Sequence, residues 1–177
     1  MPVLMANLQK PAEVPSVIGG ILWADQANGW LYQYGGEWPG PEVPDSHFDL
    51  WAYDTYNDSW TRKAADRDIV RLSFGAGTSV EDKGKGYYFG GWMGSRNDPN
   101  WQGARTASNR MIEYDFDQDV WKNSTGPADK AGRAEGVMFY LPVGDQGMLA
   151  HFGGVRIPEG EGALEEPVRC RVRNPAR

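Results

Sequence analysis

The sequence predicts an all-β fold made of short antiparallel strands. Its 177 residues include 8 Trp, 8 Tyr and 6 Phe together with 23 Gly and 12 Pro, so large rings alternate with turn-forming residues. Glycine or proline interrupts almost every stretch in which a helix could form. The length is that of one domain with a sizeable hydrophobic core.

Charge and cysteine content exclude several classes of protein. The formal net charge is −6 and no Lys/Arg-rich run occurs, so we expect no nucleic-acid binding. The single cysteine, Cys170, permits neither an internal disulfide framework nor a thiolate zinc site. No apolar run reaches the roughly 18 residues of a membrane span, and the N-terminus lacks the apolar core of a signal peptide. We therefore expect a soluble chain, with the compartment left open.

One pattern occurs three times along the chain. Each occurrence has an aromatic residue followed by two glycines, and another glycine precedes each pair by six residues. The pairs are Gly35-Gly36, Gly90-Gly91 and Gly153-Gly154. After the first two pairs comes Tyr-Asp, and a Trp follows seven residues after the Tyr, as Tyr53 with Trp60 and Tyr114 with Trp121. Such internal repetition is typical of solenoids and propellers.

Each repeat is predicted to contain up to four strands. First strands are expected at 17–24, 72–80 and 134–140, second strands at 30–35, 86–90 and 148–153, third strands at 48–53 and 109–114, and fourth strands at 59–62 and 119–122. Asn28-Gly29 predicts a type I′ turn, since both central positions of that turn need positive φ. The polar residues between Asp54 and Asp58 predict a turn between the third and fourth strands.

This order of strand, turn, strand, Gly-Gly, Tyr-Asp and Trp resembles the kelch repeat, and its spelling is most similar to kelch proteins of filamentous fungi. The resemblance covers about residues 16–154, with repeats at 16–62 and 71–122 and a partial third at 133–154. A kelch repeat forms one four-stranded blade of a β-propeller. The resemblance therefore implies a partial propeller of about two and a half four-stranded antiparallel blades. We expect an irregular N-terminal segment at 1–15 and an irregular, disordered tail at 155–177.

The number of repeats falls short of a closed ring. Propellers have about 4–8 blades, so the chain is interpreted as a truncated segment of one. Since no Trp, Tyr or Phe follows Phe152, the third unit lacks its Tyr-Asp…Trp half. We expect its second strand to expose an unpaired edge through which chains can self-associate. Fungal relatives in this group often carry a signal sequence and a membrane anchor, and this chain shows neither.

The motif residues are expected to have structural roles. Glycines at the end of a second strand allow close approach of a neighbouring backbone, and each Tyr or Trp buries about 150–250 Å² between sheets. These residues are Gly35, Gly36, Tyr53, Trp60, Gly90, Gly91, Tyr114, Trp121, Gly153 and Gly154.

The resemblance implies a non-catalytic scaffold for protein–protein interaction, with an unidentified protein partner and no membrane span. In kelch propellers the loops expected here at 37–47, 61–70, 92–108 and 123–132 gather on one face. Trp and Arg are frequent at interface hot spots. The candidate partner-binding residues are Trp92, Arg96, Trp101 and Arg105 in the longest loop, with Arg71 and Arg133 before the first strands. The alternative is that the tryptophans cover a neighbouring blade and the two latter arginines are structural.

An enzyme is the second hypothesis. Kelch-type propellers include galactose oxidases, which hold copper through Tyr and His and carry a Cys cross-linked to a Tyr, so the chain is alternatively a fragment of such an enzyme without its active site. Cys170 lies in the tail, and His47 and His151 have no partner at metal-ligand spacing. The clustered carboxylates are Asp54, Asp58, Asp115, Asp117 and Asp119. They fall in predicted turns, where Asp bonds to its own backbone. We therefore expect no catalytic residue, no metal and no cofactor.

Overall fold

The structure, a computed structural model, describes residues 10–40, 50–63 and 69–159. Within these ranges the chain forms strands and one short 3-10 turn and contains no α-helix, so the all-β class is confirmed. No helix in the described part is long and apolar enough to cross a membrane. The start of the third strand expected at 48, most of the loop at 37–47 and the tail beyond 159 lie outside the described residues.

The first repeat folds into one four-stranded antiparallel sheet, the first blade. Its strands are β1 (Ile18–Asp25), β2 (Trp30–Glu37), β3 (Leu50–Asp54) and β4 (Ser59–Lys63), in the order β1-β2-β3-β4. Apart from the start of β3, which follows undescribed residues, their bounds agree with the predicted strands to within two residues. The register places Tyr32 opposite both Trp23 and Ala52, so one face of the sheet carries these three side chains.

The second repeat also forms a four-stranded sheet, the second blade. Its strands are β5 (Ala76–Val80), β6 (Lys85–Phe89), β9 (Arg110–Asp115) and β10 (Val120–Thr125), in the order β10-β9-β6-β5. Two short strands, β7 (Trp92–Met93) and β8 (Thr106–Ala107), pair within the long loop after β6. The first strand was predicted to begin at 72 and begins at Ala76, because Ser73 bridges to Trp92 and Phe74 adopts φ +53°.

The third repeat is a half blade. It consists of a hairpin, β12 (Val137–Leu141) and β13 (Met148–Phe152), with β11 (Gly132–Ala134) paired to β14 (Val155–Ile157). The strand predicted at 134–140 is therefore divided, since Glu135 adopts φ +61°. Among the described residues β13 pairs with β12 alone. Pairing with β11 extends the regular structure to Ile157, past the boundary expected at 154.

The turn between β1 and β2 differs from the prediction. Four residues, 26–29, connect the strands, and of Asn28 and Gly29 only the glycine has a positive φ, +70°. The type I′ prediction is therefore wrong. The Asp25 carboxylate accepts hydrogen bonds from the Asn28 backbone N–H (3.2 Å) and side-chain amide (2.9 Å). These bonds stabilise a longer turn in which asparagine acts through its side chain.

A repeating backbone position connects the three units. Gly19, Phe74 and Glu135 all have positive φ, at +66°, +53° and +61°. The Phe74 N–H donates to the Gly19 carbonyl (2.7 Å), and the Glu135 N–H donates to the Phe74 carbonyl (2.6 Å). Non-glycine residues adopt this conformation at a cost of about 1–2 kcal/mol. The same backbone hydrogen bond therefore joins the first unit to the second and the second unit to the third.

The Gly-Gly pairs form the second connection between units. The N–H groups of Gly36 and Gly91 donate to the carbonyls of Leu72 and Arg133, each at 2.7 Å. A Cβ on the first glycine of each pair would lie 2.4 Å or 2.2 Å from the same carbonyl oxygens. Only glycine allows so close an approach, as the sequence predicted. A Cβ on Gly153 meets nothing within 4 Å, because no further unit follows it in the described chain.

Stacked aromatic rings fill the space between the first two blades. The Trp23 ring lies 4.9 Å from the Tyr34 ring and 6.3 Å from the Tyr114 ring, between centroids. Tyr114 packs in turn on Trp121 at 4.5 Å, so the predicted Tyr and Trp of the second repeat lie in this core. The Trp23 indole N–H donates to the Tyr87 carbonyl across the interface (3.1 Å). The blades are therefore held by ring packing and hydrogen bonds together.

Replacing the central ring should destabilise the fold. We expect Trp23→Ala to lower the free energy of unfolding by about 3–5 kcal/mol, since a fully buried Trp leaves a cavity between the blades. Trp101→Ala, in the loop between β7 and β8, is the matched change and should cost less than about 1 kcal/mol. Urea denaturation followed by far-UV circular dichroism measures both, and equal losses would contradict this account of the core.

Substitution of two glycines with almost equal φ distinguishes the cost of backbone strain from the cost of steric crowding. Gly90 and Gly153 have φ of +70° and +69°, but only Gly90 lies against a carbonyl. We expect Gly153→Ala to cost about 1 kcal/mol through its conformation and Gly90→Ala a further 1–3 kcal/mol or so through overpacking. The difference between the two urea denaturation curves is the measurement. A Gly90→Ala variant as stable as Gly153→Ala would show that the close approach is unimportant.

Candidate functional site

Two loops meet on one side of the first and second blades. The Trp38 N–H donates to the Arg96 carbonyl (3.1 Å), and the Asn97 side-chain amide donates to the Gly36 carbonyl (3.3 Å). The Arg96 guanidinium also lies 3.7 Å from the Glu37 carboxylate. The residues that follow β2 are thus in direct contact with the long loop of the second blade. We call this side, defined by Glu37, Trp38, Arg71, Trp92, Arg96 and Arg105, the loop face.

A buried carboxylate lies at the centre of the loop face. Glu37 is only 5% exposed, and its Oε2 accepts a hydrogen bond from the hydroxyl of the fully buried Ser73 (2.9 Å). A buried charge is tolerated only where hydrogen bonds or opposite charges compensate its lost hydration. Sequence reasoning missed this residue. The available signal was a charged side chain directly after the Gly-Gly pair, where the chain turns towards the next unit.

Arg105 lies over two aromatic rings. Its guanidinium carbon is 4.4 Å from the centroid of the Trp92 ring and 5.6 Å from that of Phe74. Its Nε and Nη2 are buried and have no hydrogen-bond partner among the described residues. Burial lowers the pKa of this guanidinium, and the nearby charges of Glu37 and Glu135 oppose that shift. The cation is therefore held by ring faces and by two carboxylates at longer range.

Trp92 belongs to the core as well as to the loop face. It is 5% exposed, and its indole N–H donates to Glu135 Oε1 of the third unit (3.0 Å). Its ring packs with Ala107 and Ala134. The side chain thus covers the junction with the neighbouring unit, which is the alternative role considered for these tryptophans. The face of the same ring is in contact with the Arg105 guanidinium.

A second arginine–tryptophan pair adjoins the first. The Arg71 guanidinium lies 5.0 Å from the Trp38 ring centroid, and Trp38 is bonded to the Arg96 carbonyl. The structure therefore brings Arg71, Arg96 and Arg105 together on one side of the molecule. Trp38 was not among the predicted site residues. It could have been found only as an aromatic in the loop that follows β2.

The other two predicted site residues lie apart from this group. The Trp101 indole N–H donates to the Ala104 carbonyl within its own loop (3.1 Å). Arg133 donates two hydrogen bonds to the Asp129 carboxylate (3.1 and 2.6 Å), and Arg156 also contacts that carboxylate (3.3 Å). Arg71 and Arg133 therefore occupy similar sequence positions but make different contacts: one stacks on a ring and the other is paired with a carboxylate.

The clustered carboxylates support turns. Asp54 accepts hydrogen bonds from the backbone N–H groups of Tyr56 and Asn57 (2.8 and 3.0 Å), and the Asn57 side chain lowers the pKa of Asp54. Asp115 does the same for the turn of the second blade, where it accepts from Asp117 and Gln118. Asp54 and Asp115 thus bond to turn backbone, as the sequence predicted. Asp58 and Asp119 differ from the prediction, because their carboxylates accept hydrogen bonds from the hydroxyls of Tyr53 and Tyr114.

Of the two histidines and the cysteine, the structure describes His151. His151 lies in β13 with its ring edge-on to Phe89 at 5.2 Å, and burial lowers its pKa. His47 and Cys170 lie outside the described residues. In the part of the chain that the structure describes, no three His, Cys, Asp or Glu side chains are grouped so that they could hold a metal ion.

Comparison with known proteins shows a similarity to a curated fungal protein. No protein-family model matches the chain. A curated "Kelch repeat-containing protein" from Arthroderma benhamiae is 30% identical over 179 aligned positions, which cover 79% of this chain and 26% of that protein. The chain therefore spans about a quarter of the length of the curated relative that it matches. The two four-stranded antiparallel sheets and the third partial sheet agree with this similarity.

The ion pairs of Asp129 with Arg133 and Arg156 should make the stability depend on acid pH. Hydrogen bonds from Arg133 lower the pKa of Asp129 from 3.8 to about 2. Because the folded pKa is below the unfolded one, the carboxylate stabilises the fold above about pH 4, and this contribution is lost as the pH falls towards 2. We expect the urea midpoint to fall less steeply between about pH 5 and 2.5 in Asp129→Asn than in the unchanged protein.

A matched substitution controls for general loss of charge. Asp82→Asn replaces an exposed carboxylate in the short 3-10 turn before β6 and should leave the slope close to that of the unchanged protein. If Asp129→Asn had the same slope as Asp82→Asn, the pairing with Arg133 would have no influence on stability.

Proposed function

The chain belongs to the kelch-repeat β-propeller proteins, and from this premise we propose that it is a non-catalytic scaffold that binds another protein through its loop face. The observation that carries the proposal is the pair of arginine–tryptophan contacts, Arg105 on Trp92 and Arg71 on Trp38. Folds of this kind host many functions, so the assignment depends on these residues rather than on the blades.

The chemistry of the loop face supports protein binding. Tryptophan and arginine are the residue types in which interface hot spots are enriched, because they combine large apolar area with directional hydrogen bonds. Arg105 has buried nitrogens without a partner among the described residues, although most buried polar groups are hydrogen-bonded. A partner that supplies a carboxylate or carbonyl oxygen near this guanidinium would improve its environment.

Rigid placement is a further support. Arg105 is held against Trp92 and Phe74, and the loop that carries Arg96 is bonded to the end of β2 through Trp38. Side chains that are already ordered lose less conformational entropy on binding, so more of the contact energy contributes to affinity. We propose the loop face as the site of binding, with Arg96 and Arg105 as its main contacts.

The test uses peptides selected by phage display from a random library against the immobilised chain. We expect Arg96→Ala and Arg105→Ala each to raise the Kd of the selected peptides at least about tenfold, as truncation of a hot-spot residue does. Lys83→Ala, a change of a cation beside the β5–β6 turn, is the control and should leave the Kd unchanged. Selected peptides that lose affinity with Lys83→Ala but not with the arginine variants would contradict the proposal.

A further inference from the structure

The hairpin of the third unit has one entirely apolar face without cover in the described structure. Alternate residues of β12 and β13 form this face, which we call the leading face. They are Val137, Phe139, Leu141, Met148, Ala150 and Phe152. The two Phe rings stack on each other at 5.3 Å, yet Phe139 remains 39% and Phe152 57% exposed. Contiguous exposed apolar surface of this kind marks a binding surface.

The repeat shows what normally covers such a face. Phe152 precedes its Gly-Gly pair as Tyr34 and Phe89 precede theirs. Tyr34 is covered by the second blade, where its ring lies 4.9 Å from that of Tyr88. Phe89 is covered by the third unit, where its ring lies 5.2 Å from that of His151. The leading face is therefore the position that a further blade would cover.

The surface that would cover it is present at the other end of the chain. In the second blade Tyr114 and Trp121 face the first blade and pack on Trp23. Their counterparts Tyr53 and Trp60 pair at 5.3 Å on the side of the first blade that is turned away from the second, where Tyr53 is 8% exposed. Leu22, on the same face, is 57% exposed. We call this the trailing face.

The hydrogen bonds from the Gly-Gly pairs to the next unit join the first unit to the second and the second to the third, and no further among the described residues. The first two Gly-Gly pairs donate to the carbonyls of Leu72 and Arg133, which lie two residues before the positive-φ residues Phe74 and Glu135. The third pair, with Gly153 in open space, has no such carbonyl in the described chain. The residue two before Gly19 is Val17, so its carbonyl is the acceptor that a bond from the Gly154 N–H would require.

We propose that two copies of this chain associate head to tail, with the leading face of each on the trailing face of the other. The pairing repeats the chemistry of the interface between the first and second blades. Three units from each copy make a ring of six, within the about 4–8 blades that close a propeller. The assembly has twofold symmetry and closes, so it does not grow into a filament. Both loop faces then lie on the same side of the ring.

Molar mass in solution tests the proposal. By size-exclusion chromatography with light scattering, we expect the unchanged chain to have twice the 19.7 kDa of one copy. Phe152→Asp and Leu22→Asp, one on each face, should each weaken the dimer at least tenfold. Val120→Asp is the control, because Val120 is similarly exposed (52%) but lies on β10, outside both faces. A monomer at all concentrations, or an open-ended polymer, would overturn the proposal.

A mixing experiment distinguishes this arrangement from a dimer formed by two leading faces. In a mixture of Phe152→Asp and Leu22→Asp, one interface of the ring keeps both native faces, so we expect dimers to reappear. Their recovery also shows that both variants are folded, and circular dichroism of each variant alone provides a second check. If Leu22→Asp alone remained as dimeric as the unchanged chain, or if mixing restored nothing, the head-to-tail arrangement would be wrong.

Discussion

Face-to-face packing of one sheet on the next is the interaction on which the rest of this molecule depends. A four-stranded sheet has two faces, and in the first blade both carry Trp and Tyr: Trp23 and Tyr32 lie on one face, Tyr53 and Trp60 on the other. Trp23 shows the consequence: it is completely buried only because the rings of the second blade lie on it. The stability of each unit therefore depends on the interface with its neighbour, as expected for repeat proteins.

The backbone hydrogen bonds between neighbouring units also determine where the loops lie. The glycine pair ending β2 lies against the Leu72 carbonyl, and this contact brings the chain of the second blade next to Glu37. Arg96 and Arg105 then lie on the same side, and both come from the segment between the short strands β7 and β8. The candidate binding surface is thus a result of how the units are joined, which is typical of function carried by loops on a rigid scaffold.

Most of the fold could be predicted from local patterns, and the site only in part. Strand positions follow from aromatic and glycine spacing, because a pleated strand with one buried face repeats every two residues. Arg96 and Arg105 were predicted from residue type within one loop. Glu37 and Trp38 were missed, since their importance comes from Ser73 and Arg71 of the next unit, about 35 residues away in the sequence. The prediction of a type I′ turn at Asn28-Gly29 was wrong, because a hydrogen bond from the Asn28 side chain to Asp25 favours a longer turn.

The excess of aromatics and the three Gly-Gly pairs by themselves determined the all-β class and the repeated unit, because both are properties of neighbouring residues along the chain. Only the tertiary structure decided which faces are covered. Phe89 and Phe152 occupy the same place in their repeats, yet the first is 3% and the second 57% exposed. The difference comes from the next unit, which is present for one and absent from the described chain for the other. Burial depends on contacts between distant segments, and no local pattern contains that information.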